Sequence, residues 1–316
     1  MIATTSTMER APPSRSLGEL TFLEISRHLK ETSIICLPIG AIEQHGPHLP
    51  LNTDGVIAEE LTRRIVARWG SDLDLWQLPT FAISLSREHD WAPGTLCLTL
   101  ESFIALVKDI AREIVRSLPA RNLAIVNGHG GNRGVLENLI RELRGDCGLN
   151  ACVIHPFDLS KAEMGSSYPD VHGGKGETSV MLALAPQLVR RDQIGRAKEP
   201  PDRKEIEALV FDRGTTWPWR SDDPRLAERG VIGEAHAASA ELGERIVDSI
   251  VAEVRPVLER LREGQRPARG AGDAKARAQS GARNAQAASR PRRQASRARP
   301  SSHSGNRPRP RPPGRS

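Results

Sequence analysis

The sequence predicts an α/β protein: a mostly parallel central sheet covered by helices. Three observations carry this. Short apolar runs rich in β-branched residues alternate with longer stretches of helical periodicity. The connections between them are short, as they are where helices cross over a parallel sheet. The residue types that can build a core stop abruptly near position 264.

Each element follows from its local pattern. Residues 1–16, MIATTSTMERAPPSRS, form a flexible polar lead-in without the charged-then-apolar pattern of a secretion signal. TSIICLPIG (32–40) is a buried strand ending in Pro and Gly. A helix follows over 54–69, with Val56, Ile57, Leu61, Ile65 and Val66 at helical spacing and Asp54 in the N-cap position. DLDLWQLPTFAI (72–83) reads as a second strand. Residues 99–118 make a strongly amphipathic helix opened by Thr99, although the spacing of a full capping box is not met. NLAIVNG (122–128) is a strand, 132–145 a helix and 150–159 another strand. Helices over 177–186 and 237–263 close the body, and no internal repeat is visible.

Composition bounds what the chain can be. It has 316 residues, 38% of them apolar but only 3% aromatic, so the core is aliphatic. No apolar run reaches the roughly 18–20 residues of a membrane span. Cys36, Cys97, Cys147 and Cys152 are widely spaced and suggest reduced thiols, with a cytoplasmic location as the default. The net charge of +6 is unevenly placed: residues 264–316 hold 14 of the 45 basic residues and one of the 39 acidic ones, Asp273. That tail, rich in Arg, Pro, Ala and Ser, has no Leu, Ile, Val, Phe, Trp or Tyr and is predicted to be disordered. A weak, salt-sensitive contact with polyanions is its functional reading, and a dispensable solvated extension is the plainer one. The expected organisation is thus a lead-in (1–16), one catalytic-sized domain (17–263) and the tail (264–316).

Parallel sheets gather ligands at the carboxyl ends of their strands. The unusual polar residues of this chain stand there. GAIEQHGPHLPLNTD follows the first strand, and Glu43 and His45, two apart, project to one side of an extended segment. Asp54 comes nine residues later. VNGHGGNRG delivers His129 after another strand, and YPDVHGGKGETS holds His172 and Glu177 before a helix. Taken singly each is weak, since loop glutamates are usually solvated and an Asp at a helix start is usually a cap. His48, His89, His155 and His236 show how ordinary histidine is here. As a set, two histidines and three carboxylates suit two divalent ions, Zn, Mn or Fe, sharing one bridging carboxylate. Two ions roughly 3.5–4 Å apart can hold a hydroxide and polarise a carbonyl. The glycines around His129 let backbone approach and leave N–H groups for an oxyanion.

The motifs PIGAIEQHGPHLPLNTD, SREHDWAPGTL, VNGHGGN and HGGKGETS, in that order, together with GVIGEAHAASAELGERI, resemble the creatininase (creatinine amidohydrolase) family over about residues 17–262. The resemblance implies an α/β/α fold and a dinuclear site. One metal would be held by Glu43 and His129 and the other by His45 and Glu177, with Asp54 bridging. His172 resembles the catalytic histidine that assists proton transfer to the leaving nitrogen, with Glu177 beside it at the catalytic centre. Glu88, His89, Gly130, Gly131 and Tyr168 fall where the family builds its substrate pocket. In creatininases proper a Glu ligand stands where this chain has Gly131, and a Trp where it has Tyr168. Members with GHGGN resemble this chain more closely, and they include a mycofactocin precursor peptide peptidase and a formamide hydrolase.

The implied activity is metal-dependent cleavage of a non-terminal or cyclic C–N amide bond by attack of a metal-bridging hydroxide, in a small-molecule or peptide substrate. Mycofactocin-type peptide cleavage is the named alternative within that class. A binding protein with a degenerate metal site, working through its basic tail, is the alternative of another class. The family also implies a homo-oligomer, commonly a hexamer. TTWPWRSDD, a polar loop with rigid aromatics, fits a lid over the site, while packing is the plainer role for Trp91, Trp217 and Trp219.

Overall fold

The computed structural model describes residues 14–264, apart from 166–167, 196–200 and 213. Most of the expected lead-in and nearly all of the tail therefore lie outside the described residues. Four strands, β1 (Ile34–Ile39), β2 (Leu75–Gln77), β3 (Asn122–Asn127) and β4 (Asn150–Ile154), pair in parallel in the order β2-β1-β3-β4. The helices in chain order are α1 (Phe22–His28), α2 (Thr53–Leu73), α3 (Leu100–Ser117), α4 (Arg133–Cys147), α5 (Pro156–Leu159), α6 (Lys175–Leu184), α7 (Arg203–Ile206) and α8 (Ala240–Glu263).

Alternation along the strands divides the core in two. Ile35, Leu37, Ile39, Leu123 and Ile125 face Phe103 and Val107 of α3 and Leu136 and Leu139 of α4. Ile34, Cys36, Ala124 and Val126 face Ile65 and Trp69 of α2 and Val254 and Leu258 of α8. The result is a helix–sheet–helix sandwich of the expected class. A third apolar cluster packs α6 against α2 and α8 through Ile57, Leu61, Val180, Met181 and Ile246.

Several boundaries differ from the sequence reading, each for a local reason. The second strand is three residues long, not a run over 72–83. Pro38 in β1 has no N–H to give β2, so the ladder breaks there. The last in-register bond is Leu78 N–H to Cys36 O, and pairing resumes one residue out of step with Phe81 N–H to Pro38 O, both at 2.9 Å. The last strand ends at Ile154 because Pro156 opens α5. α1 has no fully buried residue and so no apolar stripe to mark it in the sequence, yet TFLE is a capping box in which Thr21 and Glu24 cap one another. Asp54 does not cap α2; that place belongs to Asn52, and Asp54 lies within the first turn.

The topology creates a crevice. The chain leaves β1 for α2 on one face of the sheet and leaves β3 for α4 on the other, and β1 and β3 are neighbours. Their carboxyl ends thus form the switch point at which parallel sheets bind ligands.

Candidate metal centre

Five segments meet over that switch point. The turn after β1 supplies Glu43 and His45, the first turn of α2 Asp54, and the loop before α3 Glu88 and His89. The turn after β3 brings His129, and the segment entering α6 brings His172 and Glu177. Glu43, His45, Asp54, His89, His129 and His172 are all at most 5% exposed. Charged groups so deeply buried require partners.

Three groups of donor atoms lie within 4.8 Å of one another: Glu43, Asp54 and His129; His45, Asp54 and Glu177; and Glu43, His45 and His172. The first two share Asp54. Its Oδ1 is 3.0 Å from His45 Nε2, and its Oδ2 is 3.1 Å from His129 Nδ1. Glu43 Oε2 is 3.2 Å from His129 Nδ1, while Glu177 Oε2 is 3.9 Å from His45 Nε2. Both oxygens of Glu43, Asp54 Oδ2 and His129 Nε2 are buried without a hydrogen-bond partner. Hard oxygen atoms left unpaired beside imidazole nitrogens form a donor set that fits divalent cations.

Local bonds aim the imidazoles. His45 Nδ1 contacts the Glu43 carbonyl at 3.1 Å, which leaves Nε2 facing the carboxylates. His172 Nε2–H donates to the Gln44 carbonyl at 2.6 Å, so Nδ1 carries the lone pair, 3.6 Å from Glu43 Oε1. Glu88 Oε1 stands 3.4 Å behind His129 Nε2.

The electrostatics sort these groups. Burial raises the pKa of Glu43, with His129 opposing it, and pushes Glu177 up to about 7. Burial would raise Asp54 too, but His45 and His129 outweigh it and hold that carboxyl well below the usual range. The carboxylates also overcome burial at His45, led by Asp54, and lift it to about 10; His129 rises likewise. Burial drives His172 well down and His89 to about 3, the neighbouring imidazoles adding to it, so both are neutral. The carboxylate cluster therefore collects positive charge, and two neutral imidazoles stand against it.

Two cavities reach the cluster. One of about 560 Å³ is lined by Glu43, Glu88, His89, His129, His172 and Glu177 on one side and by Trp217, Trp219 and Arg220 on the other. The TTWPWRSDD segment therefore walls the site, and Arg220 is tied to Asp90 at 2.8 Å. An adjoining cavity of about 530 Å³ shares Gly130, His129, His172 and Glu177 and extends to His155 and Phe157.

The structure brings Glu43, His45, Asp54, His129, His172, Glu177, Glu88, His89, Gly130 and Gly131 together. Tyr168 lines neither of these cavities: it packs in one apolar cluster with Val171 and Trp219, lines a third cavity with His48 and His236, and its hydroxyl donates to Pro201 O. Of the glycines around His129, Gly130 and Gly134 face open space, whereas Gly128 and Gly131 leave no room for a side chain. A Cβ would come within 2.5 Å of Asp54 O at the first, and within 2.3 Å of Glu88 Oε1 and 2.5 Å of His129 Nε2 at the second. Sequence reasoning passed over Gln44 and Ser221, which bond to His89 behind the cavity wall. The one signal was the place of Gln44 between two candidate ligands, where alternation turns it to the opposite side.

The chain is similar to known proteins over most of its length. The family profile described as creatininase, creatinine amidohydrolase, matches residues 18–258. A mycofactocin precursor peptide peptidase of Mycobacterium ulcerans (strain Agy99) is 32% identical over 243 residues, covering 74% of this chain and 88% of that one. A creatinine amidohydrolase of Pseudomonas putida is 31% identical over 256 residues, 74% of this chain and 92% of that one. A solved mutant creatininase of Zn–Zn type superposes with a TM-score of 0.65 at 29% identity, covering 81% of this chain and all of the other.

Proposed function

The chain belongs to the creatininase family, and from that premise we propose that it is a dinuclear metal-dependent amidohydrolase whose site is the cluster over β1 and β3. The observation that carries the reading is Asp54, whose two oxygens each join one group of ligand atoms. One divalent ion would be held by Glu43, Asp54 and His129, and the other by His45, Asp54 and Glu177. Zinc, manganese and iron all suit this mixed set of imidazole and carboxylate. Bound there, such ions supply Lewis acidity toward an amide carbonyl and ionise water near neutral pH.

The chain's own residues do the rest. His172 presents an unprotonated Nδ1 to the site while Gln44 O holds its other nitrogen, so it can take a proton at Nδ1 and pass it to the departing amine. Gly131 leaves the space beside His129 to Glu88, which orients that ring. Trp217 and Trp219 limit water at the outer wall.

The peptide-cleaving reading has its own support. The mycofactocin peptidase relatives match at 30–32% identity, and two adjoining cavities could take an extended substrate. A dispensable tail beyond residue 264, a homo-oligomer and a cytoplasmic setting complete the proposal. Among the described residues no helix is long and apolar enough to cross a membrane, and Phe22 and Leu23 expose apolar surface fit for a contact between copies.

Elemental analysis of the purified chain beside Asp54→Ala tests the reading. About two ions per chain are expected, falling sharply in the variant. A chain that stays metal-free after incubation with Zn²⁺ or Mn²⁺ overturns it.

A further inference from the structure

We propose that His89 is a second catalytic histidine, locked as a hydrogen-bond donor that receives the carbonyl oxygen of the substrate as negative charge develops on it. The inference deepens the hydrolase reading and rests on it.

The argument begins with Gln44. Its Oε1 accepts from Gly46 N–H at 2.9 Å and its Nε2 donates to Gly230 O at 3.1 Å, which fixes the orientation of the amide. The same Nε2 lies 3.1 Å from His89 Nδ1 and 3.0 Å from Ser221 Oγ. Ser221 Oγ also accepts from Trp91 Nε1 at 2.8 Å and is 2.7 Å from His89 Nδ1. An amide nitrogen only donates, and a hydroxyl that accepts from the amide and the indole must spend its proton outward. A proton on His89 Nδ1 would therefore confront an amide donor and press a third donor on Ser221. The proton of His89 sits on Nε2 instead.

That Nε2–H points inward, 3.5 Å from Glu43 Oε1, and His89 lines the cavity. Its ring stacks on His172 with centroids 3.8 Å apart. The two imidazoles are complementary: His172 offers a lone pair at Nδ1, and His89 offers a hydrogen at Nε2. Gln44 sets both, through its carbonyl on one ring and its amide on the other. Ser221 and Trp91 act only through His89 and are positioning residues. A neutral, preorganised donor beside the attack site does for a developing oxyanion what a backbone oxyanion hole does elsewhere. It needs no proton transfer to work.

Long-range ¹⁵N–¹H NMR of the zinc-loaded full chain, with His89 assigned through His89→Gln, reads the ring directly. The expected pattern is Nε2 protonated and Nδ1 bare; the opposite tautomer, or a protonated ring near neutral pH, overturns the proposal. The second arm measures binding of acetohydroxamate, a carbonyl probe. His89→Ala is expected to weaken it about tenfold to a hundredfold, with zinc content unchanged. His89→Gln, which returns an N–H near the Nε2 position, should recover most of the loss. Equal hydroxamate affinity in all three proteins, or zinc lost from His89→Ala, overturns the donor role. A wild-type chain that takes up no zinc defeats the hydrolase reading separately, and the tautomer is still read on that chain.

Discussion

Gly131 shows how much one hydrogen atom can decide. A methyl group there would overlap Glu88 Oε1 and His129 Nε2, both of which line the candidate metal site and not the core. Gly131→Ala is therefore expected to lower metal occupancy severalfold while leaving the melting temperature of the metal-free chain nearly unchanged. Parallel elemental analysis and thermal melts check this. His48 makes the opposite kind of statement, about folding. Burial and the neighbouring His45 push its pKa down to about 4, and Nε2 meets Thr178 Oγ1 at 2.8 Å. A histidine whose folded pKa lies below its unfolded value of 6.5 stabilises the fold above that value and loses the contribution as pH falls toward 4. Denaturation at neutral pH and at about pH 4.5 should show a smaller loss in His48→Gln than in wild type. The chemistry-bearing residues were legible because Glu, His and Asp at strand ends are conspicuous types in conspicuous places. Gln44 and Ser221 were not, since an amide or a hydroxyl in a loop gains meaning only from partners far along the chain. Tyr168, placed in the pocket by the resemblance, lines neither of the two cavities at the cluster.

At the scale of elements, α6 and α8 approach each other with no room for a side chain between them. A Cβ on Gly243 would lie 1.9 Å from Ser179 O and 2.9 Å from Ala183 Cβ, so these helices touch backbone to backbone. Gly243→Ala must drive them apart, at a cost of about 1–3 kcal/mol or more by the usual measure of overpacking. Because α6 carries Glu177 in its first turn, metal occupancy should fall together with stability. Denaturant titration with and without added Zn²⁺ separates the two effects. The strands and long helices were readable from period alone, since burial on one or both faces dictates it. Boundaries were less so. Pro38 looks innocuous at the end of an apolar run, and its effect falls on β2, a different segment, by withholding one donor. The Thr21–Glu24 capping box was in plain sight, but α1 has no fully buried residue and so lacks the apolar stripe that draws the eye.

For the whole molecule, the contrast between an acidic body and a strongly basic end was visible in composition, and it makes a simple prediction. A chain stopped at residue 264 should keep its metal content and unfold within about 0.5 kcal/mol of the full chain. Calorimetry and elemental analysis on both lengths decide it. The spread of the ligands has another consequence. Glu43, His45 and Asp54 are neighbours in sequence, whereas His129 and Glu177 arrive only once β3 is in the sheet and α6 has docked. The group of Glu43, Asp54 and His129 is complete once β3 and the turn after it have emerged, whereas the group of His45, Asp54 and Glu177 waits for α6. The two proposed ions would then load in that order, and a nascent chain still emerging past β1 offers only a fragment of a chelate. Once closed, the ions would act as rivets between segments that synthesis separates widely in time.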